Sequence, residues 1–367
     1  MVMILPGQAA PWRHVWQQSV GRHRAQKKLV RGANCLVPQW ALVRWNCEAE
    51  LVEELGGQFV SQSQVPELAQ NIIDMVRAML DDLRPRLLNA ALTGSRAENE
   101  NVRHQGNFLS DYDLLMHDLY KERLAEFVPS FIYASEESDP QVVGADADPG
   151  LCVLVDPLDT SELAVRALQG YTHIMIYSLP LKRPIVSVIG DIFHHVQLYV
   201  AALGDDGVDR AFAVTAADEW HELLHRPSVS LSEALVTNYL MRPEERFLPL
   251  ARQEGFLEAL GAPGADGKRK GRIGVGHGSV CLCHVAAGFT DATIEIQKGF
   301  AAWDFLPGHY VLHAAGGVAI DLEGEPIGLD YGLNSLPEIS RAMTVKRKFV
   351  ATRSLSLAEE IRTTIRI

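Results

Sequence analysis

The sequence has no long uncharged apolar run. No segment of its 367 residues approaches the roughly 18 consecutive apolar residues that a membrane-spanning helix needs. The opening stretch MVMILPGQAAPW also lacks the basic start and the long apolar core of a secretory signal. These absences exclude the membrane-spanning class and predict a cytoplasmic protein with no membrane partner.

Cysteine is scarce, with five residues in the chain. A small, odd number in a long sequence argues against a disulfide framework and predicts reduced thiols in a cytosolic setting. Cys281 and Cys283 stand beside His284, but no second Cys/His pair follows at the spacing of a zinc site. We therefore expect these two cysteines to lie on a buried helix rather than to bind zinc.

Acidic residues are absent from Met1 to Cys47, although basic residues recur there. We expect residues 1–63 to form a basic N-terminal extension that is solvated or partly disordered, with targeting or anion binding as the alternative. The chain as a whole is acidic, with a formal net charge of −12. That balance excludes nucleic acid as the main partner, because nucleic-acid binders carry a basic face.

Apolar spacing predicts two helices ahead of a strand-rich middle. Val65–Leu92 has apolar residues at three- and four-residue intervals, which predicts a long amphipathic helix interrupted or kinked near Pro85. The polar segment TGSRAENENVRHQGNF predicts a loop or a mobile hairpin. Ser110 then stands where an N-cap is expected, ahead of a second helix in DYDLLMHDLYKERLAEFV.

Short apolar runs broken by turn residues predict strands in FIYASEES, CVLVDPLD, THIMIYSLPL, PIVSVIGDIF and VQLYVAAL. Helices are expected over about Pro243–Leu260 and in WDFLPGHYVLHAAGG. The two element types alternate without a regular βαβ order, which favours a layered α+β fold. We expect an N-terminal half at 64–220 that carries most metal ligands and a C-terminal half at 221–367.

Carboxylates stand at the ends of several apolar elements, where side chains from distant segments converge: Asp113, Glu136, Asp156, Asp159 and Asp304. Each alone is typical of a helix cap or a solvated turn. Together they indicate a shared cation, because the apolar run LCVLV before Asp156 offers little room for unpaired charge. Oxygen ligands with few histidines and no cysteine nearby favour Mg²⁺ or Mn²⁺, and such sites commonly serve phosphate chemistry.

Two hydroxyl residues, Thr160 and Ser161, follow Asp159 and open a predicted helix in SELAVRALQG. Free backbone N–H groups at a helix start bind phosphate, because they donate along the helix dipole. Carboxylates suited to a metal beside amides suited to a phosphate predict a site for phosphate esters.

Several motifs, in unbroken order, resemble those of the inositol monophosphatase family, within the larger fructose-1,6-bisphosphatase-like superfamily. VDPLDTSE resembles the family's DPxDGT signature, YASEES its GEES segment and WDFLPGHYVLHAAGG its C-terminal WDxAAG signature. FLSDYD, VIGDIFHHVQLYVAALGDDG and GHGSVCLCHVAAGFTDATIE are similar to further family motifs. The resemblance covers roughly Val65 to the C-terminus and implies alternating αβαβα layers, commonly in a homodimer.

The resemblance implies two principal metal positions. Glu136, Asp156 and the carbonyl of Leu158 would hold a first ion that activates water. Asp156, Asp159 and Asp304 would hold a second ion that steadies the leaving oxygen. A third, weaker Mg²⁺ near Glu136 is part of some family mechanisms. The expected cofactor is therefore Mg²⁺, in two or three copies, with Mn²⁺ as a substitute.

The resemblance also implies residues that handle water and phosphate. Ser161 stands where the family has Thr, and would pair its hydroxyl with Asp113 to help deprotonate the water. The amides of Thr160 and Ser161 would cradle the phosphate. Thr160 replaces the family's glycine at this turn, which is harmful if the backbone there takes a positive φ.

Four further residues fall at positions expected to contact the substrate: His277, Gly278, Ser279 and Glu295. His277 and Gly278 replace small family residues, and His277 is either a substrate contact or a loop histidine satisfied by the backbone. Glu295 matches a position that contacts substrate hydroxyls, with two extra residues between it and Asp304. These departures cluster around the leaving-group pocket and predict an altered substrate.

Three functions follow from these observations. The leading hypothesis is a Mg²⁺-dependent phosphomonoesterase that acts on a small phosphorylated polyol, sugar or nucleotide. A catalytically impaired homologue that binds a phosphorylated ligand is motivated by Thr160 and the basic extension. A bisphosphate-specific phosphatase, acting on fructose-1,6-bisphosphate or a 3′-phosphoadenosine nucleotide, is the third. There the Lys268–Arg272 loop is either a second phosphate site or a plain exposed basic turn.

Overall fold

The computed structural model describes residues 65–225 and 227–366, so the basic extension expected at 1–63 lies outside the described residues. The helices of the described part are α1 (Glu67–Thr93), α2 (Asp111–Ala125), α3 (Ser161–Ala164), α4 (Leu248–Ala251), α5 (Glu254–Leu260), α6 (Gly278–Ala287), α7 (Ala302–Ala314), α8 (Leu336–Ala342) and α9 (Leu355–Thr364).

The strands of the described part fall into a short hairpin and two sheets. They are β1 (Glu98–Asn99), β2 (Leu109–Ser110), β3 (Ser130–Ser135), β4 (Ser138–Gly144), β5 (Leu151–Asp159), β6 (Tyr171–Ser178), β7 (Arg183–Asp191), β8 (Val196–Leu203), β9 (Asp209–Thr215), β10 (Trp220–Glu222), β11 (Leu235–Asn238), β12 (Arg272–Val275), β13 (Ala292–Phe300), β14 (Val318–Ile320) and β15 (Arg347–Thr352).

Helix α1 forms because apolar residues recur on one face, and this face is buried: Ile72, Val76, Leu80, Leu83 and Leu87. The helix continues through Pro85 without the interruption that the sequence suggested. Pro85 is exposed, so water can reach the carbonyl that its missing N–H leaves unpaired. Gly94 ends the helix with a φ of 73°.

The polar segment before α2 is a hairpin, because β1 and β2 pair antiparallel. Ser110 caps α2, as predicted, and its Oγ accepts the N–H of Tyr112 at 3.3 Å. The Asp113 carboxylate in turn accepts the N–H of Ser110 at 2.7 Å, which completes a capping box. The cap therefore fixes the carboxylate of Asp113 at the start of this helix.

The larger sheet has the strand order β10-β9-β8-β7-β6-β5-β3-β4. Neighbouring strands within this sheet are antiparallel, except for the parallel pair β3 and β5. Strand β6 is buried along its whole length, because helices cover both faces of the sheet. That burial explains why the predicted strands are continuous apolar runs rather than alternating patterns.

The smaller sheet has the order β12-β11-β13-β15-β14, with β11 parallel to both of its neighbours. Helices α1 and α2 pack on the outer face of the larger sheet, and α6 and α7 fill the space between the two sheets. Helices α5 and α9 pack on the outer face of the smaller sheet. The layers run αβαβα, which confirms the predicted layered α+β fold.

The two halves expected at 64–220 and 221–367 stay a prediction. The larger sheet ends at Glu222 and the smaller sheet begins at Leu235, so the expected boundary falls beside the segment that joins them. Among the described residues, no helix combines the length and the apolarity that crossing a bilayer requires. Cys281 and Cys283 are free thiols buried on α6, where the sequence analysis expected them.

Two predicted helices are shorter than expected. The helix after Thr160 ends at Ala164, because Ala167 three residues later takes a φ of 53°. The helix expected over Pro243–Leu260 divides into a π-helical turn at Pro243–Phe247 followed by α4 and α5. Gln253 leaves the helical region between them, with a ψ of 68°, and apolar residues on both sides of the break reach the same core.

Candidate metal centre

A β-bulge sets the direction of two aspartates. On β5, Asp156 pairs with His173 of β6 and Asp159 pairs with Tyr171, so two residues of β5 oppose the single Thr172. Residues three apart on a regular strand face opposite sides, and the extra residue shifts that alternation by one. The bulge therefore turns both carboxylates to the same side of the sheet.

His173 lies against both of these aspartates. Its Nδ1 is 3.7 Å from Asp156 Oδ2, and its Nε2 is 3.5 Å from Asp159 Oδ2. Ligand atoms of these three side chains all lie within 4.8 Å of one another, a grouping suited to a metal ion. Burial lowers the pKa of His173 to about 3, so its ring is neutral. Sequence reasoning missed His173, although a histidine within the apolar run THIMIYS was a signal.

Four atoms of this cluster have no hydrogen-bond partner in the part of the chain that the structure describes: both Asp156 carboxylate oxygens, Asp159 Oδ2 and His173 Nε2. Burial, and then the neighbouring acids, raises the pKa of Asp156 and of Asp159 well above ordinary values. A divalent cation offsets the cost of burying these carboxylates, because it neutralises their charge and accepts their lone pairs. The donor set therefore fits a bound metal ion.

Glu136 and Asp304 face the same pocket as Asp159. Burial, followed by the charge of Asp304, raises the pKa of Glu136 well above its ordinary value. Asp304 lies in the first turn of α7, where its Oδ2 accepts the N–H of Ala301 at 3.3 Å. Leu158 lines the pocket at the bulge. The fold thus gathers the expected metal ligands from two strand ends and a helix start.

Asp113 is buried at the start of α2. Its Oδ2 accepts two hydrogen bonds from Ser110, from the N–H at 2.7 Å and from the hydroxyl at 2.6 Å. The Ser161 hydroxyl, which donates to the carbonyl of Phe108 at 3.5 Å, is near enough to lower the pKa of this carboxyl group. Burial outweighs these bonds and raises the pKa of Asp113 to about 6. Asp113 and Ser161 both line the pocket, and the hydroxyl–carboxyl pair that the resemblance implied stays a prediction.

Thr160 occupies the left-handed region, with φ 60° and ψ 39°. Its Oγ1 is buried without a hydrogen-bond partner among the described residues. The N–H of Thr160 hydrogen-bonds the carboxylate of Asp159. Thr160 and Ser161 both line the pocket beside Glu162. The turn therefore has the positive φ that favours glycine, and here it carries a β-branched side chain.

Gly278 lines the pocket, whereas His277 is not among the residues that line it. Gly278 takes a φ of 36°, and a Cβ at this position would overlap the carboxylate of Asp159. His277 is buried between two aromatic rings, stacked on Tyr171 at 6.3 Å and edge-on to Tyr239 at 5.3 Å. Burial lowers the pKa of His277 to about 4, so the ring is neutral.

Ser279 and Glu295 also lie outside the pocket lining. The Ser279 hydroxyl donates to the carbonyl of Asp304 at 2.8 Å and accepts the N–H of Gly308 at 3.0 Å. It therefore links α6 to the first turns of α7. The Glu295 carboxylate is 3.1 Å from the Nε of Arg246 and is almost fully buried. These contacts place both residues in support of the wall rather than on it.

Basic side chains that sequence reasoning did not identify also line the pocket: Arg242, Arg246, Lys298 and Lys346. They lie in or beside elements that carry no motif, so no sequence signal separated them from ordinary surface cations. The pocket lining therefore contains both carboxylates and basic side chains. Such a surface suits an anionic ligand that bridges to a cation.

The Lys268–Arg272 loop does not line this pocket. Within it, the Nζ of Lys270 pairs with Glu233 at 2.8 Å and with Asp266 at 3.1 Å. These exposed pairs are typical of a solvated turn. The structure therefore favours the plain basic turn over a second phosphate site at this loop.

Cations held by converging carboxylates beside basic side chains are what metal-dependent phosphoric monoester hydrolases use to bind a phosphate ester. The fold and the site define this class of protein. The family model described as the inositol monophosphatase family matches residues 62–362. The chain belongs to the inositol monophosphatase family.

Individual relatives agree with this family. The chain is 31% identical to a class 1 fructose-1,6-bisphosphatase from Halobacterium salinarum over 119 residues, which is 32% of this chain and 41% of that protein. The match therefore spans less than half of that relative's length. The chain is 25% identical to human inositol monophosphatase 2 over 256 residues, which is 66% of this chain and 78% of that protein.

Solved structures share the fold. A calcium-bound inositol monophosphatase family protein from Staphylococcus aureus superposes with a TM-score of 0.57 at 15% identity, covering 81% of this chain and 95% of that one. A Pyrococcus horikoshii protein with similarities to inositol-1 monophosphatase gives 0.56 at 17% identity, covering 81% and 97%. At these identities the likeness establishes the layered fold alone.

Proposed function

We propose that the protein is a Mg²⁺-dependent phosphomonoesterase that hydrolyses a small phosphorylated polyol, sugar or nucleotide. The observation that carries this proposal is the set of buried, unpartnered oxygens of Asp156 and Asp159, the second of which lines the pocket together with Glu136 and Asp304. Carboxylates in this state need a cation, and a cation in a pocket with basic side chains needs an anion. A phosphate ester satisfies both requirements.

Two or three Mg²⁺ ions, with Mn²⁺ as a substitute, are the proposed cofactors. Glu136, Asp156 and the carbonyl of Leu158 would hold one ion, and Asp156, Asp159 and Asp304 a second. When bound, the ions supply Lewis acidity towards the phosphate oxygens and an activated water. The pKa of Glu136 is raised by burial and by the neighbouring acids, and this supports a shared cation.

The protein's own residues would orient water and phosphate. Ser161 would donate its hydroxyl to Asp113, and the raised pKa of that carboxyl, about 6, suits a group that takes up a proton near neutrality. The amides of Thr160 and Ser161 would bind phosphate oxygens. Gly278 would form the wall against the alcohol portion, and His277, Ser279 and Glu295 would hold that wall in place.

The direct test is phosphate release from a panel of inositol, sugar and nucleotide monophosphates, with Mg²⁺, Mn²⁺ or a chelator. We expect release that depends on the divalent ion and is abolished by Asp159→Asn. Asp139→Asn is the matched control, because Asp139 is an exposed acid that does not line the pocket. Failure of every ester with every ion would refute the phosphatase proposal.

A bisphosphorylated substrate is a second candidate, favoured by the basic side chains of the pocket. Among the described residues, Lys346 lines the pocket without an ion pair within 4.0 Å, so its charge is available to a ligand. Arg242 and Lys298 line the same pocket. Lys346→Met should lower kcat/KM for bisphosphates more than for monophosphates. Equal losses for both substrates would remove this candidate.

A homodimer stays a prediction from the family resemblance, and a cytoplasmic location stays a prediction from the few cysteines and the sequence pattern. Analytical ultracentrifugation of the full chain checks the oligomeric state, and a single species at monomer mass would contradict it. A comparison of the full chain at low and high salt in the same experiment tests whether the charge of the basic extension affects the oligomeric state.

A further inference from the structure

The position of His173 is unusual for a core histidine. It lies on β6 directly opposite Asp156 of β5, in the centre of the larger sheet, and its side chain is fully buried. A buried neutral imidazole needs a partner for its N–H and a partner for its lone pair. Only one of these partners is present among the described residues.

The partner of Nδ1 comes from a break in the helical hydrogen bonds of α7. Pro307 has no N–H, so it cannot donate the helical hydrogen bond to the carbonyl of Trp303 four residues earlier. His173 Nδ1 lies 3.3 Å from this carbonyl oxygen. A carbonyl only accepts, so Nδ1 carries a proton, and the lack of any hydrogen bond from Nε2 among the described residues assigns the lone pair to that nitrogen.

That assignment leaves the Nε2 lone pair facing acidic oxygens. Nε2 is 3.5 Å from Asp159 Oδ2, and both atoms are buried without a hydrogen-bond partner among the described residues. Two acceptors facing each other repel unless a positive group lies between them. Glycine at position 278 leaves room for these two side chains, because a Cβ there would lie 2.8 Å from Asp159 Cγ and 2.9 Å from His173 Cε1.

We propose that His173 Nε2 is a metal ligand together with Asp156 and Asp159, which makes one position of the centre a mixed nitrogen–oxygen site. The inference rests on the metal dependence proposed above. A ligating histidine typically donates its other N–H to a carbonyl or carboxylate, as Nδ1 does here. Imidazole suits Mn²⁺, Fe²⁺, Co²⁺ and Zn²⁺ better than Mg²⁺, which prefers oxygen.

The consequence is a centre with two kinds of position. The second position, at Asp156, Asp159 and Asp304, would include His173 Nε2 and favour a transition metal, whereas the first position, at Glu136, Asp156 and the carbonyl of Leu158, offers oxygen alone and suits Mg²⁺. In the metal-free chain, the other arrangement open to His173 is a direct hydrogen bond from Nε2–H to Asp159. That arrangement gives the histidine a positioning role and provides no nitrogen ligand.

The experiment is pulsed electron paramagnetic resonance of Mn²⁺ added to the metal-free full chain, with no substrate present. We expect coupling from a directly bound nitrogen in the wild type and its loss in His173→Asn. Asparagine keeps an N–H donor near the Nδ1 position and lacks Nε2. His309→Asn is the matched control, because His309 is equally buried, bonds Tyr331 at 2.8 Å and does not line the pocket.

Competition calorimetry with Mn²⁺ and Mg²⁺ gives a second readout. The preference for Mn²⁺ should fall in His173→Asn by at least the roughly 10-fold that even an outer-shell change costs. His173→Gln, which places an amide oxygen near Nε2, should shift the preference towards Mg²⁺. Mn²⁺ bound by the wild type without nitrogen coupling would overturn this inference and leave the phosphatase proposal intact. The wild-type spectrum decides this even if a variant fails to fold.

Absence of any divalent cation binding would overturn both the nitrogen ligand and the phosphatase proposal. Nitrogen coupling that persists in His173→Asn would assign the ligand to another histidine and refute the role of His173. These outcomes separate the two proposals, because the first concerns whether a metal binds and the second which atom binds it.

Discussion

At the scale of single residues, Thr160 shows how the site holds strain. Its φ of 60° lies in the left-handed region, where an L-residue with a Cβ costs roughly 1–2 kcal/mol. Its hydroxyl is also buried without a partner among the described residues. Neither feature stabilises the fold, so the turn is held by its surroundings, including the bond from its N–H to Asp159.

Thr160→Gly should therefore leave the free energy of unfolding unchanged or raise it by up to about 1 kcal/mol. Relief of the strained φ, roughly 1–2 kcal/mol, outweighs the added freedom of the unfolded chain, roughly 0.4–1 kcal/mol. Chemical denaturation measures the free energy of unfolding, and phosphate release shows whether the strained turn limits the rate of hydrolysis. Thr160→Ala separates the two causes, because it keeps the Cβ and removes the hydroxyl.

Lys182→Gly is a second control for this experiment, since Lys182 takes a φ of 53° on the surface, away from the pocket. It should change stability without changing kinetics. An inactive wild type that becomes active only as Thr160→Gly would support the impaired homologue. A marked loss of stability in Thr160→Gly would contradict the strain argument.

Asp113→Asn should stabilise the protein at pH 8 while it removes activity. The folded pKa of Asp113 is raised from 3.8 to about 6, so the folded state holds the proton more tightly than the unfolded chain. This group favours folding at low pH, and its contribution is lost as the pH rises from about 4 to 6. At about 1.4 kcal/mol per pKa unit, the cost at pH 8 is on the order of 3 kcal/mol.

The measurement is the difference in unfolding free energy between Asp113→Asn and the wild type at pH 8 and at pH 4.5, in chelator. The gain should be present at pH 8 and nearly absent at pH 4.5, where Asp113 is already protonated. Asp111→Asn, an exposed neighbour on the same helix turn, serves as the control. An equal gain in unfolding free energy at both pH values would show that ionisation of the Asp113 carboxyl does not destabilise the folded state.

The carboxylates of the site could be proposed from the sequence because they stand at the ends of apolar elements, most clearly Asp156 after the run LCVLV. His173 was not predictable in the same way. Its proximity to Asp156 depends on the register between β5 and β6, and its free Nε2 depends on Pro307 at a distant point of the chain. Register and tautomer are properties of the folded sheet and leave no spacing in the sequence.

At the scale of elements, the contact between α6 and α7 positions Asp304. The Ser279 hydroxyl bridges the carbonyl of Asp304 and the N–H of Gly308. Gly308 lets the two helices approach closely, because a Cβ there would overlap the Ser279 carbonyl oxygen and lie 2.9 Å from its carbonyl carbon. The position of this proposed metal ligand therefore depends on a packing contact one turn away from it.

Gly308→Ala should destabilise the protein and weaken metal binding together. The added methyl group pushes α7 away from α6, and overpacking of this kind costs roughly 1–3 kcal/mol. The same displacement moves Asp304, so calorimetry should show a weaker affinity for Mn²⁺. Gly328→Ala is the control, because a Cβ there has no atom within 4 Å. A stability loss with unchanged metal affinity would refute the coupling between packing and ligand position.

The elements themselves were predicted unevenly, for physical reasons. Long helices and buried strands were clear because their apolar periods persist over many residues. The segment at 243–260 was predicted as one helix, but Gln253 leaves the helical region and the chain bends so that Leu250 and Phe256 both reach the core. Such breaks follow from tertiary packing, which a periodic pattern does not encode.

At the scale of the whole molecule, the site lies where the layers meet. Asp156 and Asp159 come from the larger sheet, and Asp304 comes from the helix layer between the two sheets. Asp113 enters from the outer helix layer on the other face. These groups are far apart in sequence, so the unfolded chain offers no comparable site. A cation that binds here therefore binds the folded state alone.

Divalent cations should raise the thermal stability of the whole described fold. A ligand that binds only the folded state stabilises it by about 2.7 kcal/mol at 100 times its dissociation constant, which corresponds to a rise in Tm on the order of 5 °C. Differential scanning fluorimetry of the metal-free chain with increasing Mg²⁺ or Mn²⁺ checks this, and chelator should reverse it.

Specific binding must be separated from screening, because the chain carries a net charge of −12 and any salt weakens its self-repulsion. NaCl at matched ionic strength provides that comparison, and it should give a much smaller rise in Tm. Asp159→Asn removes one buried charge from the cluster, so it should raise the Tm of the metal-free chain and blunt the response to metal. If NaCl matched the divalent ions, or if Asp159→Asn responded like the wild type, the buried oxygens would not be the binding site.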